Sequence, residues 1–352
     1  ILKMEKTVAF HLYQMSERGT EISTYDYARY NETILGNKSI IIANRKKLFN
    51  SFEKFFIDTF IKFNLINANN IKIYSKRQRS TYPKFTKNFK VFFYDDPKDI
   101  DLICRENKVD YFYAQKYGTK DDVISNYCRN LMHAIFMTND FHGERYLYIS
   151  EWLAKTMTGN SKQFVPYIVD NSNLDFKKNL RQQFNIPDDF TVVSSYGGKR
   201  VFDIEFVKEA IKEILEIRKD VVFMFLNIES FYKHPRIHFL PRSINKEAKM
   251  KFVNASDYMI HARARGETFG LAIAEFSIRN KPIIAYSSPP ERAHLDILGK
   301  KCLVYNNKDD LKKILLNVNR NSLLNANNYY DCYTKQFNPK KVMRLFQERF
   351  LD

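Results

Sequence analysis

Two glutamates in the segment RGETFGLAIAE, Glu267 and Glu275, have the residue type and spacing to hold two parts of one polar ligand. Their separation along a helix axis is about 12 Å at 1.5 Å per residue, so the two carboxylates cannot hold a single atom. Between them, the amides of Phe269, Gly270 and Leu271 would lie at a helix start, where free N–H groups and the helix dipole favour an anion. The segment therefore predicts a ligand with polar ends and negative charge between them.

The flanking residues place this segment at the edge of a sheet. Residues 258–261 and 282–286 are predicted as strands, with a glycine-containing loop and a helix between them. In parallel α/β sheets the carboxyl edge binds ligands. A nucleotide-sugar has the matching order of parts, which is sugar hydroxyls, a diphosphate and a ribose. The alternative is that Glu275 is a solvated helix residue and Glu267 an acid favoured by the helix dipole.

The E-x7-E spacing, with Phe-Gly inside it, Gly266 before it and a Lys-Pro strand after it, resembles the signature of retaining GT-B glycosyltransferases of family 4 and its relatives. The resemblance implies that Glu267 is catalytic and meets the donor sugar, while Glu275 meets the ribose. It also implies donor contacts along the segment between them, by Thr268, Phe269, Gly270 and Leu271.

A pair of basic residues follows a predicted strand at 191–195, in the sequence Gly197-Gly198-Lys199-Arg200. The glycines let the backbone approach a phosphate closely, and the two cations can stabilise its charge. The family separates an arginine and a lysine here by one helical turn, whereas this chain places them side by side. Which of the two contacts phosphate therefore stays open. The resemblance further implies that backbone groups around Phe239 pack against the nucleobase.

A glycine loop also follows the first predicted strand, at residues 8–14. In the family such a loop lies against the donor phosphates and the acceptor, and Arg18-Gly19-Thr20 resembles it with one glycine in place of two. An ordinary strand-to-helix turn is the alternative interpretation.

A histidine of the first domain reaches the donor sugar in this family, and the resemblance assigns that role to His133. His142, in Phe-His-Gly-Glu, competes for the assignment. The alternative is a structural histidine whose nitrogens are satisfied within the domain.

The chain has 352 residues, which is too long for one ordinary core and favours two domains. Strand and helix patterns alternate throughout, and residues 164–170 resemble the hinge between GT-B domains. We therefore predict an α/β GT-B fold of two doubly wound, Rossmann-like domains facing a cleft. The first spans residues 1–165 with a returning helix at 339–352, and the second spans 166–338.

The net charge of +17 favours acidic partners. Candidates are a nucleotide diphosphate, an acidic glycan, an anionic membrane or nucleic acid. The basic run at 76–90 interleaves cations with aromatics as nucleic-acid sites do, but a solvated loop explains it better. The amphipathic pattern at 46–63 fits a crossover helix better than a membrane-surface helix.

Four scattered cysteines indicate neither a zinc site nor a disulfide framework. Asp99 and Asp101 form a DxD motif, which could bind a metal. They stand at a predicted helix start, however, where helix capping and the helix dipole account for two acidic residues. No apolar run is long enough to span a membrane, and the first residues lack the pattern of a secretory signal. We therefore expect no metal, no cofactor and a cytoplasmic protein, with peripheral membrane contact as an option.

The sequence thus predicts metal-independent sugar transfer, with retention of configuration, from a nucleotide diphosphate to a glycan, protein or lipid hydroxyl. A nucleotide-sugar epimerase on the same fold is the enzymatic alternative. A basic nucleic-acid-binding protein is the alternative from another class, although no specific nucleic-acid contact is expected. A third option is an inactive fold used for assembly.

Overall fold

A computed structural model describes residues 5–15, 19–45, 59, 81–170, 172, 175–243, 245–323, 327 and 329–352. The predicted helix at 46–63 lies outside these residues, apart from Thr59. The chain forms two compact units, one of residues 1–168 with 339–352 and one of residues 169–338.

The first unit is built on a six-stranded sheet in which every pairing is parallel. Its strands are β1 (Thr7–Leu12), β2 (Lys38–Asn44), β3 (Lys90–Tyr94), β4 (Tyr111–Lys116), β5 (Arg129–Ala134) and β6 (Arg145–Tyr148). The strand order is β3-β2-β1-β4-β5-β6. The chain therefore reverses direction across the sheet between β1 and β4, which is the switch point of a doubly wound fold.

Among the described residues, three helices precede or link strands of this sheet, and a fourth follows its last strand, β6. They are α1 (Gly19–Thr33), α2 (Tyr82–Asn88), α3 (Asp99–Glu106) and α4 (Glu151–Thr158). Helix α2 corrects the expectation of a solvated loop in the basic run. A proline stands in its first turn, where a fixed backbone favours a helix, and Phe85 is buried with its ring against Tyr25.

The C-terminal helix Pro339–Phe346 completes the first unit. Phe346 is fully buried, and its ring centroid lies 5.2 Å from that of Tyr27 and 5.4 Å from that of Tyr113. Aromatic pairs at these spacings add to the area they bury. Residues 347–351 continue as a π-helical turn, and the Leu351 carbonyl accepts a hydrogen bond of 2.7 Å from the Tyr111 hydroxyl.

The second unit contains another parallel six-stranded sheet. The strands of this unit are β7 (Thr191–Tyr196), β8 (Val221–Leu226), β9 (Ile237–Leu240), β10 (Tyr258–His261), β11 (Gly266–Glu267), β12 (Ile283–Tyr286), β13 (Glu291–Arg292) and β14 (Leu303–Tyr305). The sheet order is β14-β12-β10-β7-β8-β9, while β11 and β13 form a separate pair. Read from β9, this order repeats that of the first sheet and puts the switch point between β7 and β10.

Helices of the second unit fill the crossovers and cover the sheet. They are α5 (Glu205–Ile217), α6 (Lys246–Ala255), α7 (Leu271–Ser277), α8 (Ala293–Leu298), α9 (Lys308–Asn317) and α10 (Thr334–Phe337). In α5 the buried residues recur at helical spacing, as Val207, Ala210, Ile211, Ile214 and Leu215. Strand β8 is buried along its whole length, as expected for a central parallel strand with both faces covered.

The predicted fold class is confirmed by these two parallel sheets of six strands each. Among the described residues, no helix has the length and apolar character needed to cross a membrane.

Candidate functional site

Polar side chains gather at the carboxyl edge of the second sheet, beside its switch point. The loop after β7 carries Lys199 and Arg200, and the loop after β10 leads to Glu267. Helix α7 begins three residues beyond β11 and carries Glu275. The fold therefore brings the predicted E-x7-E segment and the predicted basic pair to the same edge, although they are far apart in sequence.

Glu267 lies in β11 with 25% of its side chain exposed, and two neighbours hold its carboxylate. His261 Nε2 lies 3.3 Å from one oxygen, and Arg263 Nη1 lies 3.0 Å from the other. Burial alone would raise the pKa of this carboxyl, but the hydrogen bond with His261 and the nearby Arg263 guanidinium lower it to about 2. Glu267 is therefore an ionised, oriented acceptor at neutral pH.

The short pairing of β11 with β13 fixes the backbone of this loop. Gly266 pairs with Glu291 and has a φ of +77°, which side chains other than hydrogen rarely allow. The buried Glu291 carboxylate accepts from Arg265 Nε at 2.8 Å. Residues 287–294, whose Ser- and Pro-rich sequence SSPPERAH is typical of a loop, instead contain β13 and the start of α8. The backbone pairing of Gly266 with Glu291, which sequence spacing does not report, is the reason.

The segment between the two glutamates turns sharply before α7. Gly270 caps the helix with a φ of +89°. Phe269 is buried, with its ring 5.1 Å from that of Phe337. Thr268 is also buried, whereas Leu271, the first residue of the seven-residue helix, is partly exposed. Phe269 therefore anchors the turn, and the backbone is the part of the segment closest to the edge.

Glu275 lies on α7 with 33% of its side chain exposed, and both of its oxygens are engaged. Lys249 Nζ contacts one oxygen at 2.7 Å, and the Tyr196 hydroxyl donates to the other. The pKa of Tyr196 is raised well above its ordinary value, mainly by burial and to a smaller extent by the Glu275 carboxylate. The hydroxyl therefore stays protonated and donates the hydrogen bond. Glu275 is therefore part of a network that joins β7, α6 and α7.

A cavity of about 680 Å³ opens beside this network. Its walls include Leu226 and Leu240, which end β8 and β9, together with Phe252 of α6. The Phe252 ring packs edge-on against Tyr196, with centroids 6.5 Å apart. Seven of the thirteen lining residues are apolar and six are polar or charged, a mixture that suits a flat heterocycle with polar edges.

Phe239 does not point into that cavity. Its ring stacks on Phe225 at 5.1 Å and packs edge-on against Phe231. The next residues, Leu240 and Pro241, do line the cavity. Phe239 therefore supports the wall from behind, which leaves the predicted backbone contact with a base as a prediction.

Lys199 and Arg200 extend from the loop after β7 with 71% and 87% of their side chains exposed. Each lies 4.0 Å from the Glu229 carboxylate, a distance that gives only a weak pair at such exposure. Gly198 precedes them in the loop, and Asn227 donates to the neighbouring Gly197 carbonyl at 2.6 Å. The loop is thus tied down while the two cations remain accessible to an anion.

His133 is fully buried inside the first unit. Its Nδ1 lies 2.6 Å from the Tyr113 hydroxyl, and its Nε2 lies 2.8 Å from the Val165 carbonyl. Burial lowers its pKa to about 4 despite the bonds to backbone carbonyls. Both ring nitrogens of His133 thus have partners within the first unit, and its predicted contact with a sugar, which stays a prediction, would require the side chain to leave this core. The competitor His142 is also buried, 3.5 Å from Lys116 Nζ.

Gly19 is the first residue of α1, directly after β1 and its loop. The three residues before it, including Arg18, lie outside the described residues. Its predicted contact with donor and acceptor stays a prediction.

The DxD aspartates are engaged within the protein. Asp99 accepts from the amides of Asp95 and Asp96 in the first turn of α3, whereas Lys98 is the N-cap residue. Asp101 accepts from Asn126 and Ser125. In the part of the chain that the structure describes, no group of three acids, histidines or cysteines is placed to hold a metal.

Four residues at the edge were not predicted as site residues, namely Tyr196, Lys249, His261 and Arg263. Two of them carried a signal in the sequence. His261 ends a predicted strand, and Arg263 lies four residues before Glu267. Lys249 and Tyr196 could not be assigned from spacing, because their contacts with Glu275 depend on the crossover that brings α6 and β7 beside α7.

Comparisons with known proteins identify the fold. A glycosyltransferase from Rickettsia africae shares 13% identity, with 98% of this chain and 97% of that chain covered and a TM-score of 0.64. Anabaena HepE, crystallised with UDP-glucose, shares 12% identity over 97% of this chain and 98% of that chain, with a TM-score of 0.64. The UDP-GlcNAc 2-epimerase of Methanocaldococcus jannaschii shares 15% identity over 99% of this chain and 100% of that chain, with a TM-score of 0.53.

The chain matches no protein-family model. No curated protein matches it in sequence either. The structural similarity shows that the chain has the GT-B fold, in agreement with the sequence-based prediction. Glycosyltransferases and epimerases both use this fold, so the activity has to be argued from the site itself.

Gly266→Ala should destabilise the second unit more than Gly299→Ala does. Both glycines have positive φ values, +77° and +53°, so each alanine costs about 1–3 kcal/mol of backbone strain. A Cβ at Gly266 would also lie 1.9 Å from the Glu291 carbonyl oxygen, whereas nothing lies within 4 Å at Gly299. Urea unfolding of both variants measures the difference in their free energies of unfolding. Equal losses of stability would show that the β11–β13 pair can shift to make room for the Cβ with no measurable loss of free energy.

Proposed function

We propose that this protein is a retaining glycosyltransferase that transfers a sugar from a nucleotide diphosphate to an acceptor hydroxyl. The observation that carries the proposal is the placement of Glu267, Glu275 and the Lys199–Arg200 pair at one edge of a parallel sheet, beside a partly apolar cavity. A nucleotide-sugar has a base for the cavity, a ribose for one carboxylate, a diphosphate for the cations and sugar hydroxyls for the other carboxylate.

The donor would lie along this edge with its parts in order. The base occupies the cavity lined by Phe252, and the ribose hydroxyls meet Glu275 next to it. The diphosphate lies near Lys199 and Arg200 and near the backbone amides at the start of α7. The sugar then reaches Glu267, whose ionised carboxylate accepts hydrogen bonds from its hydroxyls.

Ribose binding requires Glu275 to share its oxygens. Lys249 holds one oxygen at 2.7 Å, and Tyr196 donates to the other. A carboxylate offers about four lone-pair positions, so ribose hydroxyls can join these donors without displacing both. Lys249 and Tyr196 would then orient Glu275 for the ribose rather than compete with it.

Bond cleavage puts negative charge on the departing diphosphate. Lys199 and Arg200 are accessible and only weakly paired, so they can stabilise that charge without a metal ion. Glu267 would orient the sugar as its anomeric carbon becomes positive. The acceptor is a glycan, protein or lipid hydroxyl, and we propose that it attacks from the face that the diphosphate leaves.

Sugar epimerisation is the second candidate, because the M. jannaschii UDP-GlcNAc 2-epimerase has the same fold over the whole chain. An epimerase would convert the sugar without an acceptor. Formation of a glycoside therefore separates the two activities.

The product should keep the anomeric configuration of the donor. A thermal-shift panel of nucleotide-sugars first identifies the donor, since a ligand at 100 times its Kd adds about 2.7 kcal/mol of stability. Proton NMR of the reaction with an acceptor then reports the anomeric coupling of the new bond. Inversion would contradict the retaining mechanism but not the transfer, and a changed sugar without a glycoside would establish the epimerase.

Glu267→Gln and Glu275→Gln should impair different parts of donor use. Each loses a charge-assisted hydrogen bond, which costs about 1.5–3 kcal/mol. Loss at Glu267 should chiefly lower kcat, and loss at Glu275 should chiefly weaken binding of the free nucleotide. Steady-state kinetics and nucleotide titrations separate these effects, with Glu213→Gln on α5 as the control. Wild-type behaviour of both site variants would remove the assignment.

EDTA should leave turnover nearly unchanged, while Lys199→Ala or Arg200→Ala should lower it by about 10²–10³, the loss typical of one preorganised electrostatic donor. The variant with the larger loss identifies the cation that contacts phosphate. Lys313→Ala, an exposed lysine on α9, is the matched control. Loss of activity in EDTA with rescue by Mg²⁺ or Mn²⁺ would show that a metal stabilises the leaving group instead.

A further inference from the structure

A second cluster of charged residues lies at the opposite, amino edge of the second sheet. Asp257 comes directly before β10, and Lys281 stands two residues before β12. Arg320 joins them there, since its amide donates to Thr191 Oγ1, on the first residue of β7, at 3.1 Å. This cluster is separated from the candidate donor site by the length of the strands.

Asp257 is the carboxylate at the centre, and its oxygens are already occupied. Arg181 Nη2 lies 2.5 Å from Oδ2, which also accepts from the Val192 amide at 2.8 Å. Arg320 Nη1 lies 2.7 Å from Oδ1. Asp257 and Arg181 each expose 4% of their side chains, so this is a buried pair that needs all its partners.

Lys281 precedes β12 as Asp257 precedes β10, and the parallel register that pairs Met259 with Ile283 puts the two residues at the same level of the amino edge. The Lys281 ammonium makes no hydrogen bond or ion pair with any residue that the structure describes. Burial lowers its pKa to about 8; Asp257 opposes the shift, and Arg320, Arg181 and Arg279 add to it. At neutral pH a largely buried cation is therefore held beside three other cations.

Within the described residues, Asp257 is the acid that forms ion pairs with both Arg181 and Arg320. The exposed Asp188 raises the pKa of Arg181 and Glu275 raises that of Arg279, whereas Asp257 is the acid that chiefly opposes the lowered pKa of Lys281. The sequence from Arg320 up to Asp331 contains no acidic residue, so none of its side chains supplies the missing charge. Three cations, Arg181, Arg320 and Lys281, thus share the buried carboxylate of Asp257.

We propose that this amino-edge cluster binds a phosphate group, held by the Lys281 ammonium and the Arg320 guanidinium. Arg320 exposes 24% of its side chain. Among the described residues its guanidinium contacts only Asp257, through Nη1, so its other nitrogens can bind a second anion. A guanidinium matches two phosphate oxygens, and an ammonium supplies a compact charge. The bound dianion removes the excess positive charge and gives Lys281 its missing partner.

The phosphate group has two possible sources, a small phosphate compound in solution or the headgroup of a phospholipid. The chemistry at Lys281 and Arg320 is the same for both. The proposal goes beyond sugar transfer and does not depend on it, because none of its residues belongs to the carboxyl edge.

Sulfate is the first probe, because its charge stays constant from pH 6 to pH 9. Calorimetry at fixed ionic strength, balanced with chloride, should show one sulfate bound by the wild type and about tenfold or more weaker binding by Lys281→Met. The wild-type affinity should fall as the pH rises through about 8, where free Lys281 loses its proton. The Lys281→Met variant should lack this pH dependence.

Three further variants make the result specific. Lys281→Arg keeps the charge and should keep sulfate binding, and the exposed Lys313→Met should bind as the wild type does. The double variant Lys199→Ala with Arg200→Ala should also retain binding, because it removes only the cations of the carboxyl edge. Equal affinity of wild type and Lys281→Met, no binding by the wild type, or loss in the double variant would overturn the proposal. If Lys281→Met does not fold, Arg320→Gln replaces it.

Inorganic phosphate and vesicles then distinguish the sources. The headgroup would be identified as the source if the wild-type protein floats with phosphatidylcholine vesicles that contain phosphatidic acid but not with phosphatidylcholine alone. Lys281→Met should then fail to float with either. Binding of inorganic phosphate without flotation would identify a soluble phosphate. Failure of the wild type to bind either would overturn the proposal.

Discussion

The direction of the parallel strands is the constraint on which the chemistry of this molecule depends. All strands of one sheet end at the same edge, so residues far apart in sequence meet there without any direct link. The switch point between β7 and β10 opens a gap in the helix layer at that edge. Glu267 and Glu275 lie beside this gap because the short β11–β13 pair and the turn at Gly270 hold the loop that joins β10 to α7.

The two edges of the second sheet differ in how their charged side chains are paired. At the carboxyl edge each glutamate is held by donors, and Lys199 and Arg200 remain solvated. At the amino edge one carboxylate, Asp257, is shared by buried and partly buried cations. The first arrangement suits a ligand that carries both hydroxyls and negative charge, whereas the second lacks only an anion.

Much of this fold follows from local patterns. Buried apolar runs such as β8 and the helical spacing of α5 show their structure in the sequence, because each depends on residues close together in the chain. The placement of Glu267 and Glu275 was predicted for the same reason. The partners of Glu275 were not, since Tyr196 and Lys249 meet it only through the crossovers. Spacing could not decide between the two interpretations of His133, because its partners Tyr113 and Val165 come from other parts of the chain.

The return of residues 339–352 to the first unit has a consequence for biosynthesis. Phe346 and Leu351 complete a core whose other members, including Tyr27 and Tyr111, are translated far earlier. The first unit therefore leaves the ribosome with part of its core open, and the whole second unit is made before that gap can close. Such long-range closure slows folding and exposes apolar surface meanwhile. We expect the second unit, whose residues are contiguous, to be the first to reach its native state.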